Sequence, residues 1–142
     1  MPKRKHLITA LILLVLAGVA AMRLRFLFVG DCDLPDASQV VAMKATAGGM
    51  LPGEVIDVPP SHFASILAAL RPCGRDSDAH MWAALGDLDL TLKGGSHFRI
   101  SLYETMGKEG AFSAGPTFES RVYHRGGTDK GIKDAILAAR SP

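Results

Sequence analysis

Hydrophobic and polar side chains alternate along residues 86–103 in the pattern of a half-buried sheet. Leu88, Leu90 and Leu92 alternate with Asp87, Asp89, Thr91 and Lys93. After Gly94-Gly95-Ser96, Phe98, Ile100 and Leu102 alternate with His97, Arg99, Ser101 and Tyr103. Successive strand residues point to opposite faces, so the pattern predicts an antiparallel hairpin with one dry face and one wet face. Parity restricts its loop. A two-residue Gly-Gly turn would set Leu92 against His97 and mix the faces. A loop of Gly94, Gly95 and Ser96 instead pairs Leu92 with Phe98, Leu90 with Ile100 and Leu88 with Leu102, which keeps all six on one side. That register sets Asp89 beside Ser101 and diagonal to Arg99. Such a hairpin is not stable alone, so other elements must cover its leucine face.

Shorter β-type runs stand at residues 40–45 and 54–58, with Gly48-Gly49 and Leu51-Pro52-Gly53 as turn signals between them. Two more, at 111–115 and 119–125, extend a meander that Gly126-Gly127 is expected to end. Helical periodicity appears twice. Ser61 is the expected N-cap of a helix running to about Arg71, with Phe63, Ile66, Leu67 and Leu70 as its core face and Pro72 and Gly74 closing it. Its other positions are mostly Ala64, Ser65, Ala68 and Ala69, a face that another element is expected to cover. Thr128 can cap a final helix whose stripe is Ile132, Ala135, Ile136 and Ala139, widened by Leu137. Asp129 in its first turn and Arg140 in its last complement the helix dipole. The fold class is therefore α+β. A hydrophobic N-terminal helix precedes a small two-layer domain, with an antiparallel sheet of five or six strands and two helices on one face.

Residues 7–22 break this pattern, because Thr9 is their only member that is neither apolar nor glycine. Lys3, Arg4, Lys5 and His6 precede them, which is the order of an export signal. A cleaved signal peptide, residues 1–21, would use Val19-Ala20-Ala21 and leave Met22 as the new N-terminus. An uncleaved anchor would place residues 7–29 in the lipid bilayer. Sixteen helical residues rise about 24 Å against a hydrocarbon core of roughly 30 Å. Snorkelling of Arg23 and Arg25, with Phe26 and Phe28 in the interface, makes up the difference. The anchor is favoured because no polar region precedes the cut. Three basic residues before the segment and two after it orient the chain N-in, C-out. Residues 1–30 thus form the leader, 31–38 a linker and 39–142 the exported domain.

Charge sharpens this division. The 142-residue chain has a net charge of +2, but residues 1–30 carry five Lys and Arg and no acid. The remainder holds 11 Lys and Arg against 14 Asp and Glu, hence −3. An acidic domain argues against nucleic acid as a partner. The two cysteines, Cys32 and Cys73, suit an oxidising compartment. If paired they close a loop worth about 4 kcal/mol in the chain-entropy model.

Most site motifs fail. There is no GxGxxG, P-loop, HExxH or EF-hand, no Cys/His spacing for zinc, and no Asn for glycosylation, so no cofactor, metal or catalytic residue is assigned. Residues 111–115, Ala-Phe-Ser-Ala-Gly, approximate a nucleophile elbow, but Pro116 and a further strand follow where an elbow needs a helix. Trp82 is expected as a core anchor near Met81 and Leu85. The four histidines of the domain, His62, His80, His97 and His124, have no shared spacing. His124 faces outward if Tyr123 points into the core and is buried if Val122 does. Arg121, Tyr123 and Arg125 share one strand face, two cations about an aromatic ring, and with Arg99 they are the candidate ligand contacts. The alternative is that these arginines pair with local acids such as Asp89, Glu104 or Glu119.

The sequence therefore supports an anchored or exported, non-enzymatic binding module whose ligand it does not identify, with a protein partner among the options. Its rivals are a small hydrolase or metal-assisted enzyme using His97, His124 and Asp89, and a structural subunit docking through the uncharged face of the Ser61 helix. The anchor has a direct test in N-terminal sequencing of the mature chain. The expected start lies before residue 7, and a start at Met22 or later would defeat the anchor.

Overall fold

The computed structural model describes residues 12–18, 20, 32–47, 54–76, 83–105 and 109–140. The chain divides into two compact units, Met1–Gly30 and Asp31–Pro142. In the first, residues 12–18 are helical, and Ile12, Leu13, Leu14, Val15 and Leu16 are each more than half exposed. Among the described residues no helix is long and apolar enough to cross a membrane. Arg23, Arg25, Phe26 and Phe28, the cut near Ala21, the Gly48–Gly53 turn signals, and His80, Met81 and Trp82 lie outside the described residues.

The second unit is an α+β domain with seven described strands rather than five or six. They are β1 (Val40–Ala47), β2 (Val55–Asp57), β3 (Cys73–Arg75), β4 (Ala84–Leu92), β5 (His97–Tyr103), β6 (Glu109–Gly115) and β7 (Val122–Thr128). All pair antiparallel in the order β2-β1-β4-β5-β6-β7-β3. Two helices, α1 (Phe63–Ala69) and α2 (Asp129–Ala138), complete the fold. The core joins Met43, Leu88, Leu90, Ile100, Leu102 and Phe112 of the sheet to Ile66, Leu67 and Leu70 beside α1 and Ile132 and Ile136 of α2. Burying each large aliphatic side chain contributes about 1.5–3 kcal/mol of transfer free energy. The leucine face of the hairpin is thus covered, and among the described residues no helix lies on the opposite sheet face.

The strand missing from the sequence reading is β3. Its three residues, Cys-Gly-Arg, are too few to show alternation, and Pro72 and Gly74 read instead as a helix stop. They pair with β7 from Cys73 opposite Gly126 to Arg75 opposite His124. Consequently Gly126-Gly127 does not end the sheet but lies inside β7. A Cβ on Gly126 would stand 2.3 Å from the Cys73 Cβ and 2.5 Å from the Leu70 carbonyl oxygen. One on Gly127 (φ +62°) would stand 2.0 Å from the Ala69 carbonyl oxygen. The pair lets the end of α1 lie directly against β7.

The hairpin keeps its three-residue loop, but the loop is Lys93-Gly94-Gly95, one residue earlier than parity alone selected. The Leu92 N–H donates to the Ser96 carbonyl at 2.8 Å, and Gly94 and Gly95 hold φ of +93° and +84°. Left-handed backbone is favourable at glycine, so the two glycines rather than Ser96 set the bend. The strands slide by two residues, pairing Leu90 with Phe98, Leu88 with Ile100 and Gly86 with Leu102. A slide of two leaves every side chain on its expected face. It does change the polar partners: Asp89 now stands opposite Arg99, and Asp87 opposite Ser101.

Helix details differ where local chemistry competes. Pro60–His62 forms a 3-10 turn, so α1 begins at Phe63 after His62, and Ser61 is not its N-cap. Ala64, Ser65 and Ala68 are exposed, so their face is uncovered rather than buried under another element. At α2 the Thr128 hydroxyl accepts the Gly131 N–H at 3.0 Å, a side-chain cap with Asp129 in the first turn. Leu137 is 43% exposed and does not widen the buried stripe. Arg140 falls beyond the last turn and donates to Glu54 at 2.6 Å.

Cys32 and Cys73 are joined, with their Cα atoms 5.6 Å apart, a separation suited to a disulfide. Cys32 and Leu34 are buried among the core residues, so the segment before β1 belongs to the packed domain.

The close approach at β7 has a measurable consequence. Gly126→Ala must displace β3 or the end of α1, and overpacking of this kind costs about 1–3 kcal/mol. We expect a lower urea midpoint with an unchanged slope; an unaltered midpoint would show that the glycine contact is slack.

Candidate functional site

The helix-free face of the sheet is a ladder of polar side chains, fixed by the hairpin register. Asp57, Lys44, Asp89 and Arg99 are successive cross-strand neighbours of alternating charge, and the row ends at Gly115. Opposite charges across strands stabilise a sheet by a few tenths of a kcal/mol to about 1 kcal/mol per pair. The parallel row runs Thr46, Asp87, Ser101, Ser113 and Tyr123. Arg99 is ion-paired with Asp89, whose hydrogen bond and charge raise the guanidinium's affinity for its proton further.

Ser101 and Ser113 point toward this face yet are only 7% and 1% exposed. Larger side chains lie over them. The Tyr103 hydroxyl meets the Ser113 hydroxyl at 3.0 Å, and the Tyr103 ring stacks on Tyr123 with centroids 6.1 Å apart. The Arg121 Nη1 donates to the Ser101 hydroxyl at 3.0 Å, and that hydroxyl donates in turn to Asp87. A guanidinium, a hydroxyl and a carboxylate thus form one relay from the end of the turn before β7 across β5 to β4.

Arg121 reaches this position because the chain folds back before β7. Thr117 and Ser120 close a turn reciprocally: Ser120 Oγ accepts the Thr117 N–H at 3.1 Å, and Thr117 Oγ1 accepts the Ser120 N–H at 3.2 Å. A Cβ on Gly115 would stand 2.8 Å from the Ser120 carbonyl oxygen and 3.0 Å from the Arg121 Cα, so only glycine admits the turn there. This corrects the expected strand at 119–125, whose first residues belong to the turn. The Phe118 ring lies 4.7 Å from the Arg121 guanidinium carbon while 80% exposed itself. Beside it opens a groove of about 420 Å³, bordered by Asp89, His97, Arg99, Thr117, Phe118 and Arg121.

The four candidate contacts therefore share one face but do not converge. Arg99 and Arg121 border the groove. Tyr123 is 39% exposed and stacked on Tyr103. Arg125 is paired with Asp76 beside β3, so the two cations do not close on the Tyr123 ring. Arg121 has no carboxylate partner among the described residues, and its buried Nε has no hydrogen-bond acceptor. An unsatisfied buried donor costs about 1–3 kcal/mol. Phe118, Gly115 and the Asp87–Ser101 relay were missed in the sequence. The parity of Asp87 and Ser101 was visible there, whereas nothing marked Phe118 as lying under a guanidinium.

His97 and His124 do not form an acid–base pair. His97 is exposed on the helix-free face, whereas His124 is 3% exposed on the core face, stacked on Phe112 with centroids 5.2 Å apart. Among the described residues no group of three or more His, Cys, Asp or Glu is placed to hold a metal ion. Ser113 sits mid-strand in β6, bonded to Tyr103, so residues 111–115 do not make a nucleophile elbow.

With this geometry in place, no known protein family matches the chain, and no curated protein or solved structure resembles it significantly.

His124 makes stability pH-dependent. Burial lowers its pKa below 6.5, the nearby Arg75 charge pushes the same way, and the Val122 carbonyl and Asp33 oppose them in part. The unfolded chain then binds the proton more tightly than the folded chain, so stability is full above about pH 6.5 and is lost as pH falls toward the lowered value. Urea midpoints between pH 8 and pH 5 should show this decline, and His124→Phe should flatten it. An identical pH profile for the variant would remove His124 as the cause.

Proposed function

We propose that the chain is a membrane-anchored, extracytoplasmic binding module, with a cleaved and exported form as the alternative. Residues 7–29 hold it in the bilayer, N-in and C-out, and the domain offers its helix-free sheet face to a partner. The observation that carries this reading is the groove between Arg99 and Arg121, with the mostly exposed Phe118 ring at its edge. A large apolar ring left in water beside an arginine without a carboxylate partner is the composition of a recognition surface. The apolar run of the leader, broken only by Thr9, and its five consecutive side chains more than half exposed support lipid as its surroundings.

A second reading rests on the exposed small-residue face of α1, where a larger assembly could dock as on a structural subunit. One experiment separates them. The photoreactive aromatic p-benzoylphenylalanine replaces Tyr123 in one chain and Ala68 in another, and both are irradiated in intact membranes. The recognition-face reading expects a discrete adduct from position 123 and none from position 68. An adduct from position 68 alone would transfer the function to α1.

A further inference from the structure

We propose that β3 and the Cys32–Leu34 segment form an acid-released latch, closed against a neutral His124 and opened when its imidazole is protonated. The latch does not depend on what the helix-free face binds. His124 is 3% exposed and stacked on Phe112, and neither ring nitrogen has a hydrogen-bond partner within bonding geometry. An imidazolium has two donors to satisfy, so the closed site holds the neutral ring and resists the charged one. Arg75 is the cross-strand neighbour of His124, on the same sheet face. Protonation therefore sets two cations side by side, a destabilising pair in a sheet.

The other charges of the surrounding elements do not relieve this. Asp33 favours the imidazolium, but Arg75 already holds that carboxylate at 2.8 Å. Arg71 is turned to the Leu34 carbonyl, and α1 carries no charged residue. Glu109 of β6 stands opposite Thr128, at the far end of β7. On α2, Lys130 pairs with Asp134 at the surface, Asp129 is bonded to Thr105, and Lys133 adds only a further cation. Arg121, Arg125 and Asp76 belong to the opposite face. The pieces beside the ring are also weakly held. Among the described residues β3 has three residues and one strand partner, β7. The Cys32–Leu34 segment is tied by the Arg71 hydrogen bond of 3.3 Å and by the exposed Arg75–Asp33 pair, which contributes little. Short elements of this kind open locally before the domain unfolds. The Cys32–Cys73 link makes the two pieces leave together, and Phe112 stays, because β6 is paired on both sides. Opening also parts Asp76 from Arg125, which carries the change to the helix-free face.

The sign follows from burial. The open form binds the proton at the ordinary 6.5 and the closed form below it, so acid favours opening, by up to about 30-fold between pH 7.5 and pH 5. The test is amide hydrogen exchange of the full chain in detergent micelles at those two pH values, corrected for the intrinsic rates. The reporters are the Asp76 and Gly127 amides, which donate to Tyr123 and Pro72 between β3 and β7, and β5 at the sheet centre is the reference. Protection of both reporters should fall about tenfold or more at pH 5 while that of β5 holds. His124→Phe keeps the stacked ring without the proton and should abolish the fall. If that variant does not fold, Arg75→Gln, at a side chain 68% exposed, removes the opposing cation and should reduce the fall. The proposal is overturned if the reporters keep their protection at pH 5 or if β5 loses protection equally. It is overturned too if His124→Phe, or Arg75→Gln in its place, responds as the parent does.

Discussion

The leucine face of β4 and β5 is dry only because two short helices lie across it, and α1 reaches the sheet where β7 carries no side chain. Gly126 and Gly127 bring the backbone of β7 against Leu70, Ala69 and Cys73. That contact seats Leu70 and Ile66, both fully buried, over the sheet, and it lets β3 add to the edge of β7. The disulfide joins the same place to the segment before β1, since Cys73 is a member of β3 and Cys32 is in the core. Neither helix is long enough to be stable alone in water, so both draw their stability from this packing.

A similar device operates on the opposite face. Gly115 ends the Asp57–Lys44–Asp89–Arg99 row, and the missing side chain admits the turn that carries Phe118 and Arg121 over the sheet. A glycine at the end of one row therefore determines that Arg121 meets Ser101 on the neighbouring row. The seryl hydroxyls become buried on a face that no helix covers, because Tyr103, Tyr123 and Arg121 lie over them. In this way the outer face is ordered rather than simply solvated, and its arginine is held in one orientation.

Side-chain parity was legible in the sequence, and register was not. Alternation through Asp87, Asp89, Arg99 and Ser101 assigns the wet face correctly under any slide by an even number of residues. The slide itself depends on where the bend falls in Lys93-Gly94-Gly95-Ser96, and that follows from which residues adopt positive φ. The face of His124 could not be decided, since Val122 and Tyr123 are both credible core residues. It follows from pairing with Phe112, whose ring receives the imidazole. Likewise β3 has too few residues for a period, and Phe118 gains its meaning from a contact three residues along a turn that the apolar pattern does not encode.

The arginines show how little a shared face alone says about binding. Parity put Arg121, Tyr123 and Arg125 together, and a local-acid reading accounts well for two of the domain's outward arginines: Arg99 has Asp89, and Arg125 has Asp76. An exposed pair such as Arg99–Asp89 contributes at most about 1 kcal/mol, and in both pairs the charge is already matched by a neighbouring carboxylate. Arg121 differs in kind. Among the described residues it is linked to a carboxylate only through the Ser101 hydroxyl, and one of its donors is buried without an acceptor. Folding has therefore left an unmade hydrogen bond inside a residue that lines the groove, beside an aromatic ring that is mostly exposed. That donor is closed to solvent, so what Arg121 can present at the groove is its charge and the ring stacked on it, which is why we propose recognition at this arginine rather than over the face as a whole.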